Sequence, residues 1–118
     1  MSAGKFNFLA EVGANFFQNF QYEDADQNPI DITGLTIQMQ VRECPGTTVL
    51  IEASTTNGKI TITNGAAGQF EIDIKASEMD DLGSKNYLYD VILITDANNI
   101  TRLLEGSFNV NPRITVPI

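Results

Sequence analysis

The feature that most constrains this chain is a strict period of two. In Leu35-Thr36-Ile37-Gln38-Met39-Gln40-Val41-Arg42 every odd position is apolar and every even one is polar. Successive side chains of a strand point to opposite faces of a sheet, so this segment reads as a half-buried β-strand. A helix would scatter the same four apolar residues around its circumference.

The pattern recurs along the chain. Lys59 to Thr63 alternates, and so does Phe70 to Lys75; between them Asn64-Gly65-Ala66-Ala67-Gly68 reads as a hairpin connection. Tyr87 to Thr95 is a longer strand. Asp96-Ala97-Asn98-Asn99 then supplies turn chemistry, and Ile100 to Val110 follows as an antiparallel partner. Near the start Phe6, Phe8 and Ala10 alternate. Phe16 to Tyr22 gives a second aromatic strand, and Val49 to Ala53 a short one. One segment reads as helix, a single short turn near 77–82. Ser77 is a possible N-cap, carboxylates follow early, and Gly83 closes it. Pro29, Pro45, Pro112 and Pro117 all fall in turns or near the chain end. Many short strands separated by turn signals predict an all-β fold, a two-sheet sandwich or a barrel. The 118 residues suit one domain spanning 1–118, long enough to bury a core without metals or disulfides.

Composition removes whole classes of function. The formal net charge is −8, which repels phosphate backbones, so neither nucleic acid nor an anionic membrane is an expected partner. No apolar run approaches the roughly 18 residues of a membrane helix, and the opening segment lacks the apolar core of a secretory signal. The one cysteine, Cys44, can form no internal disulfide and fits synthesis in a reducing cytoplasm; it reads as a plain thiol. There is no histidine, which removes the commonest general base and the commonest metal ligand. Paired carboxylates at Glu71 and Asp73, or Asp80 and Asp81, lack the apolar pocket that acid catalysis needs and read as solvated charge. The acidic stretch from Glu23 to Asn28, with Asp31 beyond, offers oxygen ligands for calcium. Pro29 stands where a calcium loop needs glycine and Leu35 where it needs glutamate, so it reads as a solvated turn. No catalytic residue, metal or cofactor is expected.

Several pieces stand in a characteristic order. Asp31-Ile32-Thr33-Gly34 leads into the strand ending Gln40-Val41-Arg42. A glycine-bounded hairpin follows around Gly58 and Gly68, then the turn ending Leu82-Gly83. Tyr87-Leu88-Tyr89-Asp90-Val91 comes next, and last Arg102-Leu103-Leu104-Glu105-Gly106-Ser107-Phe108-Asn109-Val110, closing on Pro112-Arg113-Ile114-Thr115-Val116. This order, from about Gly13 to Val116, resembles the small immunoglobulin-like domain of tailed-bacteriophage virion proteins. In that family a D-L-T-G turn precedes a strand ending in a Q-V-R-like triplet. A Y-D-L-like strand then precedes L-x-G-x-V-x-V and a terminal V-T. Ile32 and Ile114 replace the usual leucine and valine. The resemblance implies an immunoglobulin-like β-sandwich without catalytic residues. It also implies a structural or adaptor component of the virion that attaches to other virion proteins, often as a homo-oligomer. The tail, baseplate or fibre-attachment region is the first expectation, and decoration of the head or neck the second.

The residues themselves point to a surface. If Tyr87, Tyr89, Val91 and Leu93 face the core, with Leu104, Phe108 and Val110 opposite, then Leu88, Ile92 and Ile94 face outward around Asp90, and Leu103 joins them from the partner strand. An apolar row on a solvent-facing sheet needs a partner. Leu88, Ile92, Ile94 and Leu103 are therefore the candidate protein interface, unless a loop or strand of the same domain covers them. Gly34 is expected to supply a positive φ, and Gly106 to mark a bulge or the close approach of another chain. A reading of a different class is a carbohydrate-binding, host-recognition module built on the N-terminal phenylalanines, with Phe17 the one out of phase; the absence of tryptophan weighs against it.

Overall fold

A computed structural model describes residues 4–24, 26–79, 82–96 and 99–112. The pairing Asp80–Asp81, the turn residues Ala97 and Asn98, Ala25 of the acidic stretch and the terminal Arg113-Ile114-Thr115-Val116 lie outside the described residues.

Among the described residues nine strands form two sheets, not a closed barrel. They are β1 (Gly4–Lys5), β2 (Phe8–Glu11), β3 (Phe16–Gln21), β4 (Thr36–Arg42), β5 (Ile51–Ser54), β6 (Ile60–Asn64), β7 (Gln69–Ile74), β8 (Asn86–Asp96) and β9 (Asn99–Asn111). The larger sheet runs β1-β9-β8-β4-β5, with β2 also on β9; the smaller runs β3-β7-β6. The alternation read from sequence is the burial pattern. Ile37, Met39 and Val41 of β4 are fully buried, as are Ile72 and Ile74 of β7, while the residues between them stay partly open. Tyr87, Tyr89, Val91 and Leu93 are buried too, opposite Phe108, Gly106, Leu104 and Thr101 of β9. Both sheets contribute to one core. Rings tie them directly: Phe16 of β3 meets Phe108 of β9 at 4.9 Å, and Phe20 meets Phe8 of β2 at 5.8 Å.

The connections follow local chemistry. Asp31 opens the turn into β4: its carboxylate accepts from the Thr33 hydroxyl (2.6 Å) and N–H (2.9 Å), which hold its pKa below the usual carboxylate range. Ile32 is fully buried and Gly34 takes the expected positive φ of 74°. The β6–β7 hairpin closes through a 3₁₀ turn, Gly65–Ala67, capped by the Asn64 side chain. Among the described residues the helical turn spans Ala76–Met79 and starts one residue earlier than expected. Ser77 lies inside it and is not its cap. The Asn15 side chain accepts from the Ala76 N–H at 2.7 Å instead, a partner 61 residues away that no local pattern announces.

Gly106 marks a close approach, and the approaching chain is the protein's own N-terminal segment. Strands β1 and β2 run parallel to β9 in one register, Gly4 opposite Leu104 and Phe8 opposite Phe108. Between them the Phe6 N–H donates to Glu105 O (3.0 Å), and Asn7 Oδ1 accepts from the Ser107 N–H (3.1 Å). The Tyr89 hydroxyl, paired across from Gly106, donates to Phe6 O at 2.6 Å. Phe6 itself, expected to alternate inward with Phe8 and Ala10, is exposed, because this bridging segment breaks the strand at Phe6–Asn7.

Burial pushes the Tyr89 phenol up from 10.0 to about 12. The neutral form is thus favoured in the folded chain. Its contribution to stability is fully present below pH 10 and lost as pH rises through about 12. Tyr89→Phe should cost about 1–3 kcal/mol at neutral pH, because it strands the Phe6 carbonyl. In denaturant titrations repeated across the alkaline range, the gap between the two proteins should close between pH 10 and 12. A gap that stays constant would contradict the burial of the phenol.

Candidate functional site

The outward face of the larger sheet is built from three central strands. On β8 it presents Leu88, Asp90, Ile92 and Ile94. Across β4 these pair with Arg42, Gln40, Gln38 and Thr36. Across β9 they pair with Ser107, Glu105, Arg102 and Ile100.

Three of the four expected interface residues stand on this face. Leu88 is 42 % exposed, and Ile92 and Ile94 are half-buried, hemmed by their polar neighbours but not sealed. Leu103 is the correction: it is a core residue, 8 % exposed. The β8–β9 register shifts between Val91 and Ile92. Val91 pairs with Leu104 and Ile92 with Arg102, which leaves Leu103 as the extra residue of a β-bulge. A bulge reverses the parity of the strand, so Leu103 and Leu104 both serve the interior. The same reversal puts Ile100 outward, opposite Ile94 and 61 % exposed. Sequence reasoning missed Ile100. The signal available was the adjacent leucine pair, which simple alternation cannot place on one face.

Charge divides the apolar row. Arg102 Nε lies 3.4 Å from Asp90 Oδ2 and its Nη1 3.4 Å from Glu105 Oε2. Asp90 and Glu105 are direct cross-strand neighbours, and the guanidinium offsets their repulsion. Arg42 donates to Gln40 Oε1 at 2.9 Å and to the Thr47 carbonyl. Around Leu88, Gln40, Arg42, Asp90, Arg102 and Glu105 lies an open depression of about 770 Å³, walled by the turn that carries Cys44. Cys44 is exposed and unpaired with another cysteine. The face thus has an apolar end (Ile92, Ile94, Ile100), a charged centre and an apolar foot at Leu88.

The other candidate residues are scattered. Asp24 spends its carboxylate on the N–H groups of Asp26 (2.9 Å) and Asn28 (3.0 Å), which closes the acidic stretch into a turn. Glu71 and Asp73 are half-buried on the outer face of β7, Asp73 paired with Lys75 at 2.8 Å. Phe17 is exposed on β3, while Phe8 and Phe16 are core and Phe20 packs against it. Among the described residues no group of three or more His, Cys, Asp or Glu side chains is placed to hold a metal ion.

Compared with known proteins, the chain matches no family model and no curated protein.

Proposed function

We propose that this chain is an immunoglobulin-like β-sandwich that works by assembly: a non-enzymatic structural component of a tailed-phage virion. The observation that carries the reading is the apolar outward row of β8 and β9, which faces solvent at the middle of a sheet where polar residues would otherwise stand. Burying each such side chain is worth on the order of 1.5–3 kcal/mol.

The strand order supports the immunoglobulin-like part. That fold sets three central strands of one sheet against a sheet holding the second, fourth and fifth strands, and its variable form adds a further strand beside the third. Here β9-β8-β4 is extended by β5, and β3-β7-β6 stands opposite. A second mark is a tyrosine at the start of the penultimate strand whose hydroxyl reaches back to the backbone a few residues upstream. The Tyr87 hydroxyl donates to Gly83 O at 2.7 Å, four residues before it. The antibody disulfide and tryptophan have no counterpart, since the chain has one cysteine and no tryptophan. The virion part rests on the ordered likeness of Asp31–Gly34, Tyr87–Val91 and Leu104–Val110 to the phage domains, and the tail, baseplate or fibre attachment remains the favoured position over the head or neck.

Ile92→Glu together with Ile94→Glu should keep the fold, because Glu at 92 faces Arg102. The pair should abolish incorporation into particles, read as the loss of a stoichiometric band from purified virions and of the corresponding density in particle images. Normal incorporation of the doubly substituted, folded chain would overturn the proposed interface. Absence of the unaltered chain from purified particles would overturn the virion reading itself.

A further inference from the structure

We infer that the free edge of β3 is a second, separate interface, where two copies of this chain pair strand to strand about a two-fold axis midway between their Asn19 residues. An unpaired strand edge offers a row of N–H and C=O groups, and proteins blunt such edges with shortness, charge, proline or bulges. Each other edge here carries such a device. β1 has two residues, β2 and β5 have four with Glu11 and Glu52 among them, and β6 is bulged against β7 between Ile62 and Asn64. β3 has none. Its six residues, Phe-Phe-Gln-Asn-Phe-Gln, contain no charge, proline or glycine, its register with β7 is unbroken, and among the described residues β7 is its one strand partner.

The ladder shows which groups are free. The Tyr22 N–H donates to Gly68 O, and the Asp73 N–H to Lys59 O. In an antiparallel ladder hydrogen-bonded residues alternate, so Phe16, Gln18 and Phe20 bond to β7, and the backbones of Phe17, Asn19 and Gln21 point to the open edge. One antiparallel register lets these three pair wholly with one another: Asn19 opposite Asn19 of the second copy, and Phe17 opposite its Gln21. A slip of two residues would leave one of them facing Asn15 or Glu23, beyond the strand.

Charge favours a copy in this orientation. Two chains of net charge −8 repel overall, but β3 itself carries no charge, and the nearest carboxylates of the sheet, Glu71 and Asp73, stand one strand back on β7, Asp73 paired with Lys75. The two-fold register sets Glu23 opposite Asn15 and Asp24 opposite Ala14, whereas a parallel, in-register pair would stack Glu23 on Glu23. The contact would also cover part of Phe17, which is 48 % exposed. It is isologous and closes on itself, so it yields dimers rather than fibres. It lies on the smaller sheet and stands whether or not the β8 face binds a virion partner.

The test is sedimentation of the full chain across a wide concentration range, with monomer passing to dimer. Asn19→Lys sets two ammonium groups opposite each other and should leave only monomer at concentrations where the unaltered chain is half dimeric. Thr61→Lys, exposed in the same cross-strand row but on β6, should dimerise normally. Ile92→Glu with Ile94→Glu should also dimerise normally, which separates this interface from the other. In a Cys44→Ser background, Asn19→Cys should cross-link to itself on oxidation, since facing bonded residues lie within disulfide reach. Phe17→Cys should not. An unaltered chain that stays monomeric throughout, a folded Asn19→Lys chain that dimerises equally, or capture of a foreign strand in place of a second copy would each overturn the inference.

Discussion

Phe8→Ala should lower the free energy of unfolding by about 3–5 kcal/mol. Phe8 is buried where the N-terminal strand meets both sheets. Its ring lies 5.1 Å from Phe16 and 5.8 Å from Phe20 of the smaller sheet, and 4.8 Å from Tyr89 and 6.3 Å from Phe108 of the larger. Truncation removes the transfer energy of the ring, several edge-to-face contacts and the filler between two rigid sheets, which cannot close the gap. A domain of this size has about 5–15 kcal/mol in total, so the variant should sit near the edge of stability. Urea titration should show a lower midpoint with an unchanged slope. Phe6→Ala, one turn of the pleat away but exposed, should change the midpoint little. Equal effects at the two positions would contradict the assigned core.

Gly106→Ala should cost about 3 kcal/mol and loosen the N-terminal segment before the rest of the fold. A Cβ at this position would stand 2.1 Å from Phe6 O and 2.9 Å from Phe6 C. These are backbone atoms, so no rotamer change relieves the clash. The segment must move off β9, giving up the Phe6 and Asn7 hydrogen bonds, the Tyr89 bond and the seat of Phe8. Amide exchange should accelerate first at residues 8–11. Because Tyr89→Phe acts on the same segment, the two substitutions should combine to less than their sum. Additive losses would mean that Gly106 and Tyr89 hold different structures.

Much of the architecture was legible because strands report their faces every second residue. The phase of Leu35 to Arg42 settled which side of β4 is interior, and the same logic placed Tyr87 to Leu93 correctly. It failed at Leu103 because parity holds only while the ladder is regular. One extra residue there exchanges the roles of Leu103 and Ile100, and nothing within β9 alone states which partner residue is skipped. It failed at Ser77 for a related reason: the acceptor that caps Ala76 comes from Asn15, close in space and remote in sequence. Gly106 showed only that a side chain was unwelcome, and the intruder turned out to be the chain's own Phe6.

By itself the sequence determined what each short stretch does locally: strand or turn, and which face is greasy. Tertiary structure alone decided which strands neighbour one another, where a bulge reverses inside and outside, and which edge is left bare. The division has a physical cause. Alternation and turn preference are properties of a few consecutive residues, whereas strand pairing, bulge position and edge exposure are chosen by the energy of the whole assembled sheet.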